Sequence, residues 1–221
     1  SIEQYAFMEC KALESIDLSP CTKLSSIGER AFNDCSKLKS VDISDCTEIA
    51  SIGKYAFCVC GVLESIDLSP CSKLKRIEES TFAGCSKLSS VNLSGCSEIA
   101  SIGNYAFSGC ESLENIDLSP CTKLSSIGGN AFFRCSKLKT VNLSGCSELI
   151  SIAGGSYSAF NECVNLKSID LSQCSKLRKI TSSTFAGCSK LATVNLSGCS
   201  EIASIEQYAF MECKALESID L

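Results

Sequence analysis

Seventeen of the chain's 18 cysteines fall into two series that run through it at a fixed interval. The first series occupies positions 10, 35, 60, 85, 110, 135, 163, 188 and 213, the second 21, 46, 71, 96, 121, 146, 174 and 199. Both advance by 25 residues except for one step of 28, and Cys58 alone stands outside them. A period of this size constrains the fold more than any composition does. About nine positions in each unit are apolar or Cys, too few for one unit to enclose a core. Stacked units can share one, which is the logic of a solenoid.

One unit reads L-x-x-I/V-x-L/I-S-x-C-x-x-L/I-x-x-I-G-x-x-A-F-x-x-C, as in "LKSVDISDCTEIASIGKYAFCVC" from Leu38 to Cys60. In "VDI", "IDL" and "VNL" the aliphatics alternate with Asp or Asn, the period-two signature of a strand. The single long step comes from "SIAGGSYSAF" (Ser151 to Phe160), where three extra residues should bulge from a loop and leave the core register intact.

These motifs carry a resemblance. "LxxIxLSxCxxL" is similar to the strand and following turn of leucine-rich repeats. "SIGxxAFxxCxxLxSI" resembles the BspA-like (Treponema-type) repeats of bacterial and protist surface proteins, over essentially the whole chain. The "SPC" and "SGC" elements also approach the cysteine-containing repeats of F-box-type adaptors. The resemblance implies a leucine-rich-repeat solenoid with one parallel β-strand per 25-residue coil, little regular helix and right-handed stacking. Residues 1–221 then form a single array of about nine coils.

Residues 204–221 repeat residues 1–18 letter for letter. Neither end shows the atypical polar repeat that caps a solenoid. The expectation is an array that continues in both directions, or modules that stack end to end.

In stacked coils, equivalent residues form columns at roughly the 4.7–4.9 Å inter-strand spacing. One column runs Lys23, Glu48, Lys73, Glu98, Lys123, Glu148, Lys176, Glu201. This alternation should place each ammonium between two carboxylates, avoid like-charge contacts and specify register. A second runs Asp17, Asp42, Asp67, Asn92, Asp117, Asn142, Asp170, Asn195, Asp220 and should face the concave side. Its adjacent carboxylates at Asp17, Asp42 and Asp67 could line up for calcium, whose ligands are hard oxygens. The preferred reading is a solvated acidic strip offset by Lys39, Lys139 and Lys167, with no metal or other cofactor. Asn92, Asn142 and Asn195 lie in "NLS" triplets, acceptors for N-glycosylation in a eukaryotic secretory pathway. The serine and threonine rows are read as satisfying backbone groups at turns. Phenylalanines from Phe7 to Phe210 should complete the core, with Tyr5, Tyr55, Tyr105 and Tyr208 as ordinary aromatic packing.

For the cysteines, small buried thiols compete with disulfides between adjacent coils, whose sites fall within the disulfide window. Recurrence in every unit favours reduced, buried thiols, with Cys58 more exposed.

The chain has no His and no Trp, and its formal net charge is −5. The commonest general base and zinc ligand are thus absent, and no basic run suggests nucleic acid. No apolar stretch is long enough to span a membrane. No nucleophile, base and oxyanion donor can be assembled from the columns, so an enzyme is not expected. The reading is a structural or adhesive protein, extracellular or on a cell surface. Its partners would be itself, through end-to-end stacking or a continuous array, or surface proteins or glycans. The alternative is a cytoplasmic adaptor module that binds proteins. The pattern-breaking segment Ala153, Gly154, Gly155, Ser156, Tyr157 is the candidate for a localised contact.

Overall fold

The computed structural model describes residues 1–221, apart from the side chain of Tyr157. It is a solenoid of short parallel strands with no α-helix. Each coil, counted here from one first-series cysteine to the next with coil 1 at Cys10, contributes a three-residue strand and then a two-residue strand. The three-residue strands are β1 (Ser15–Asp17), β3 (Ser40–Asp42), β5 (Ser65–Asp67), β7 (Ser90–Asn92), β9 (Asn115–Asp117), β11 (Thr140–Asn142), β13 (Ser168–Asp170), β15 (Thr193–Asn195) and β17 (Ser218–Asp220). The two-residue strands are β2 (Ser26–Ile27), β4 (Ser51–Ile52), β6 (Arg76–Ile77), β8 (Ser101–Ile102), β10 (Ser126–Ile127), β12 (Ser151–Ile152), β14 (Lys179–Ile180) and β16 (Ser204–Ile205). Every pairing is parallel and in repeat register, Ile66 opposite Val91 and Ile127 opposite Ile152, for example.

One core runs the length of the array. Its axis is the phenylalanine column: Phe7, Phe32, Phe57, Phe82, Phe107, Phe132, Phe160, Phe185 and Phe210 stack ring on ring, with neighbouring centroids 5.0–5.6 Å apart. Phe32 to Phe185 are fully buried, and each such ring stabilises the fold by about 1.5–3 kcal/mol. The tyrosines do not join this core as the sequence suggested: Tyr5 and Tyr208 are exposed, and Tyr55 donates its hydroxyl to Glu79 at 3.1 Å. Tyr5, Arg30, Tyr55, Ser80, Tyr105, Asn130, Ser183 and Tyr208 form a column with φ between 52° and 62°, set apart from the phenylalanine stack; its small members Ser80 and Asn130 are buried, while Tyr5 and Tyr208 are exposed.

The coils are not equally spaced partners. On the three-residue-strand side, hydrogen-bonded ladders join β1 to β3, β5 to β7, β9 to β11, and β13 to β15 to β17. They lapse between coils 2 and 3, 4 and 5, and 6 and 7. Within a pair, Lys39 N–H reaches Glu14 C=O at 2.8 Å and Lys139 N–H reaches Glu114 C=O at 2.7 Å; across a lapse, the matching Glu64-to-Lys39 and Lys167-to-Lys139 bonds stretch to 3.3 and 3.4 Å. Residue bulk before the second-series cysteine accounts for most of this. Even coils carry Gly95, Gly145 and Gly198 there, and a Cβ at these positions would overlap the Ser69, Ser119 and Ser172 carbonyls of the preceding coil. Odd coils carry Pro20, Pro70, Pro120 and Gln173, whose side chains prevent so close an approach. Asp45 stands where the glycines stand, an exception that bulk does not explain. On this face the fold is thus a stack of two-coil modules, the last extended by a third strand, separated by seams; on the two-residue-strand face the ladder β6–β8–β10–β12 runs across the seam between coils 4 and 5.

Candidate functional site

The charged column pairs rather than forming a continuous ladder. Lys73 Nζ lies 2.6 Å from Glu48, Lys123 lies 2.7 Å from Glu98, and Lys176 lies 2.6 Å from Glu148. Each lysine thus bonds the carboxylate of the coil before it and not the one after. All three pairs cross seams, where the three-residue-strand ladder is missing. Glu201 instead meets Arg178 at 3.2 Å, while Lys23 makes no ion pair among the described residues. A second alternating column, which the sequence reading passed over, runs in antiphase: Lys39 pairs with Glu14 at 3.1 Å and Lys139 with Glu114 at 2.7 Å, inside modules. The hydrogen bond from Lys39 is the main reason Glu14 holds its carboxyl below the usual range, and Lys139 does the same for Glu114. These lysines therefore serve glutamates and not the acidic strip, as the sequence reading had it. The signal was present in the sequence as Glu14, Lys39, Glu64, Ser89, Glu114, Lys139, Lys167, Ala192, Glu217, but Ser89, Lys167 and Ala192 interrupt the alternation.

The Asp/Asn column is exposed, and each side chain accepts a hydrogen bond from the backbone N–H two residues on. Asp17 Oδ1 takes Ser19 N–H at 2.9 Å, Asp42 takes Ser44 at 3.0 Å, Asp67 takes Ser69 at 2.8 Å, and Asn92, Asn142 and Asn195 take Ser94, Ser144 and Ser197 at 3.1 Å. This is the Asx turn that ends each strand. The Ser44 N–H holds the Asp42 carboxyl below its ordinary value, helped by the Ser44 hydroxyl. In this turn the carboxylate serves the serine backbone; at Ser19, Ser119 and Ser197 the hydroxyl donates to the same oxygen. Asp17 faces Asp42 in register, yet a seam separates Asp42 from Asp67. Among the described residues no three Cys, Asp or Glu side chains converge to hold a metal.

Fifteen of the 18 cysteines are buried, and all 18 are free thiols; Cys10 and Cys21, in the first coil, are exposed and Cys58 is half-buried. The thiols are hydrogen-bond donors between coils. In the first series, Cys35, Cys60, Cys85, Cys110, Cys135, Cys163, Cys188 and Cys213 each direct Sγ–H to the carbonyl of the phenylalanine one coil back, at 3.1–3.3 Å. In the second series only the even-coil members do so: Cys46, Cys96, Cys146 and Cys199 reach Leu18, Leu68, Leu118 and Leu171 at 3.1–3.3 Å. Cys71, Cys121 and Cys174 face a seam and make no such bond among the described residues. Burial pushes the thiols up, Cys60 and Cys135 to about 12, which keeps the donor proton in place. The sequence reading had the burial and missed the bond.

The pattern-breaking segment keeps the register, since Cys163 still reaches Phe132 across 31 residues of chain. Ala153 and Gly154 lead into a single 3-10 turn, Gly155–Tyr157, which includes Ser156; the Tyr157 side chain lies outside the described residues. The turn is tied down: Gly155 N–H bonds Ser182 C=O, and the buried Ser158 hydroxyl donates to Gly155 C=O at 2.8 Å.

A shallow groove of about 510 Å³ opens beside the three-residue strands, lined by Glu64, Lys87, Ser89, Ser112, Glu114, Asn115 and Lys137. No helix is long and apolar enough to cross a membrane.

A family model described as the BspA-type leucine-rich repeat region matches residues 1–120, 50–157 and 100–221, in six copies. No curated protein matches the sequence. Among solved structures, a leucine-rich repeat protein from Bacteroides ovatus is 25% identical over 87% of this chain and 69% of its own, with a TM-score of 0.51. One from Eubacterium ventriosum is 16% identical over 99% of this chain and 76% of its own, with a TM-score of 0.55. A leucine-rich cell surface protein from Faecalibacterium prausnitzii is 21% identical over 99% and 76%, with a TM-score of 0.43.

Proposed function

Because the chain belongs to the BspA-type leucine-rich-repeat family, we propose that it is a non-catalytic structural and adhesive scaffold displayed on a cell surface. One observation carries this reading. The exposed columns repeat the same chemistry coil after coil, Glu–Lys, Asx turn and Lys–Glu, so the molecule presents a periodic face and not a single converging site. Such a face suits repetitive contacts with surface proteins or glycans.

The reading extends to assembly. Ile2, Phe7, Leu13 and Ile16 at one end of the stack, and Ile202, Phe210, Leu216 and Ile219 at the other, are only partly buried against the core. Each layer is a surface on which a further coil, of the same chain or of another copy, would continue the stack. Asn92, Asn142 and Asn195 would be glycosylated if the protein traverses a secretory pathway; the Asx turn occupies only Oδ1 and leaves Nδ2 as the acceptor. The register role of the Lys–Glu column belongs to the same proposal, and Ala153 to Tyr157 remain its candidate for a localised contact.

The adaptor alternative is favoured by a specific observation, the use of free thiols as donors, which a reducing cytoplasm preserves. Antibody labelling of intact and then permeabilised producing cells separates the two. Labelling of intact cells supports the surface scaffold; labelling only after permeabilisation overturns it. Sedimentation and negative-stain imaging of the purified protein test assembly, where discrete horseshoes at high concentration would refute end-to-end stacking.

A further inference from the structure

Lysines in this array fall into two classes. Those of the two Glu–Lys columns are mostly paired. A third column, two residues after each first-series cysteine, reads Ala12, Lys37, Val62, Lys87, Ser112, Lys137, Asn165, Lys190, Ala215 and contains no acid. The ammonium groups of Lys37, Lys87 and Lys137 make no ion pair or hydrogen bond among the described residues, and that of Lys190 bonds only the Asn165 side-chain oxygen, at 2.7 Å. Coils stack at close to the inter-strand spacing, so these ammonium groups repeat about every 10 Å along the axis.

Two of them, Lys87 and Lys137, flank the groove. The groove exists because the neighbouring columns shrink there. Ser89 replaces the lysine that pairs with glutamate in the equivalent places, Lys39 with Glu14 and Lys139 with Glu114. Glu64 is thereby left without a partner. Ser112 lies between the two lysines in their own column. Asn115 Oδ1 accepts from the Thr140 hydroxyl at 2.6 Å, which leaves its amide NH2 as a donor. Glu114 lies in the field of Lys137, but its charge is already met by Lys139. The lining offers two unpaired ammonium groups, an amide donor, the Ser112 hydroxyl, the Ser89 hydroxyl as an acceptor (it donates to Glu64 C=O at 3.0 Å) and one free carboxylate, with no aromatic or aliphatic residue.

We propose that this groove and the Lys37–Lys87–Lys137–Lys190 column bind a linear acidic polysaccharide carrying one carboxylate per disaccharide. Two sugar rings span nearly the advance of two coils, so successive carboxylates meet successive lysines. Between them the sugar hydroxyls meet Ser89, Ser112, Asn115 and Glu64. A neutral glycan would leave the ammonium groups unmatched, and a ligand recognised by apolar contact would find no surface. This binding surface does not depend on whether the protein is displayed on a cell surface.

The test is binding of a fluorescent hyaluronan decasaccharide at 0.15 M salt, measured by anisotropy and compared with a neutral cello-oligosaccharide and with poly-L-glutamate. Saturable binding of the hyaluronan is expected, weakened at least tenfold by Lys87→Gln with Lys137→Gln. Ser89→Lys should weaken it similarly by refilling the groove and pairing Glu64; Lys39 and Lys139 show that the fold accepts lysine at this place. Lys73→Gln with Lys123→Gln, on the other charged column, should leave binding within twofold. No binding, equal binding of the neutral oligosaccharide or of poly-L-glutamate, equal loss in the Lys73/Lys123 variant, or no loss in the groove variants would each overturn the proposal.

Discussion

The inter-coil thiol bond makes a prediction about the order of two substitutions, which is more decisive than the size of either. Cys85 is fully buried and directs its Sγ–H to the Phe57 carbonyl at 3.1 Å. That carbonyl also receives the Cys60 N–H at 3.3 Å, so losing the thiol does not orphan it. Cys85→Ala removes a sulfur's worth of apolar burial, about 1 kcal/mol by analogy with a methylene, and a hydrogen bond worth about 1 kcal/mol. The sum is near 2 kcal/mol. Cys85→Ser forfeits part of the burial and keeps a donor aimed at the same oxygen, so it should cost about 1 kcal/mol. For a chain this long, each kcal/mol moves the melting temperature by about 2–4 °C.

Cys121 supplies the internal control. It is equally buried but faces a seam, and its sulfur donates to nothing among the described residues. Alanine there loses only burial, about 1 kcal/mol. Serine buries a hydroxyl with no partner, a penalty of about 1–3 kcal/mol. Thermal unfolding followed by circular dichroism, under reductant, should therefore rank Ser above Ala at position 85 and Ala above Ser at position 121. The same ranking at both positions would refute the donor role and reduce the cysteines to small hydrophobes.

Three further outcomes follow from the same structure. Cys60 and Cys135 keep their protons to about pH 12, against an ordinary value of 9.0; their folded pKa is the higher one, so their stabilisation is whole below pH 9 and is lost as pH rises towards 12. The denaturation midpoint under reductant should be flat to about pH 8.5 and then fall, by about 1.4 kcal/mol per pH unit for each such thiol; a flat profile to pH 10.5 would count against burial. Val59 is a β-branched residue at φ 60°, where Gly84, Gly109 and Gly187 stand in other coils. Left-handed backbone costs about 1–2 kcal/mol there, while glycine's greater unfolded-state freedom costs about 0.5–1, so Val59→Gly should raise the melting temperature by one to a few degrees (about 2–4 °C per kcal/mol), and a fall would contradict the strain. A double-mutant cycle of Glu98→Gln and Lys123→Gln should show coupling of about 0.2–1 kcal/mol that fades in 1 M salt; the cycle of Glu98 with Lys73 should show none, and equal coupling would mean a continuous ladder.

Much of the fold was legible because a repeat samples each position many times. One "IDL" is a weak strand signal; nine such triplets of IDL, VDI or VNL, 25 residues apart but for one step of 28 and each with a phenylalanine at a fixed offset, admit only stacking. Side-chain partners were less legible. Reading Lys73 as bridging both neighbours assumed equal spacing of coils, and the seams break that equality. Pro70 and Gly95 contained the information, since one holds a coil away and the other admits it. Nothing in a list of letters says that a carbonyl lies where the missing Cβ would be. The tyrosines misled for a similar reason: they recur at the spacing of a core column, yet their own column stands apart from the phenylalanine stack.

The two-coil period explains why the chain repeats in pairs. A uniform 25-residue unit would stack identical charges about 5 Å apart, Glu on Glu and Lys on Lys, in every column. Alternation removes the repulsion throughout the Lys23-to-Glu201 column; the second column alternates in antiphase from Glu14 to Lys139, interrupted at Ser89, and then breaks at Lys167 and Ala192. The in-module pairs such as Glu14–Lys39 reinforce junctions already joined by three-residue-strand ladders, while Glu48–Lys73, Glu98–Lys123 and Glu148–Lys176 span the junctions that lack that ladder. A slip of one coil would set like charges against each other and place glycine where proline belongs. A slip of two coils would satisfy most columns. What distinguishes one module from the next is then the set of departures from the repeat, among them the three-residue insertion at Ala153 to Tyr157, Asp45, Ser89, Lys167 and Gln173. Register within a module is enforced by charge and backbone bulk; the identity of each module rests on those departures, and it is there, at Ser89, that the groove opens.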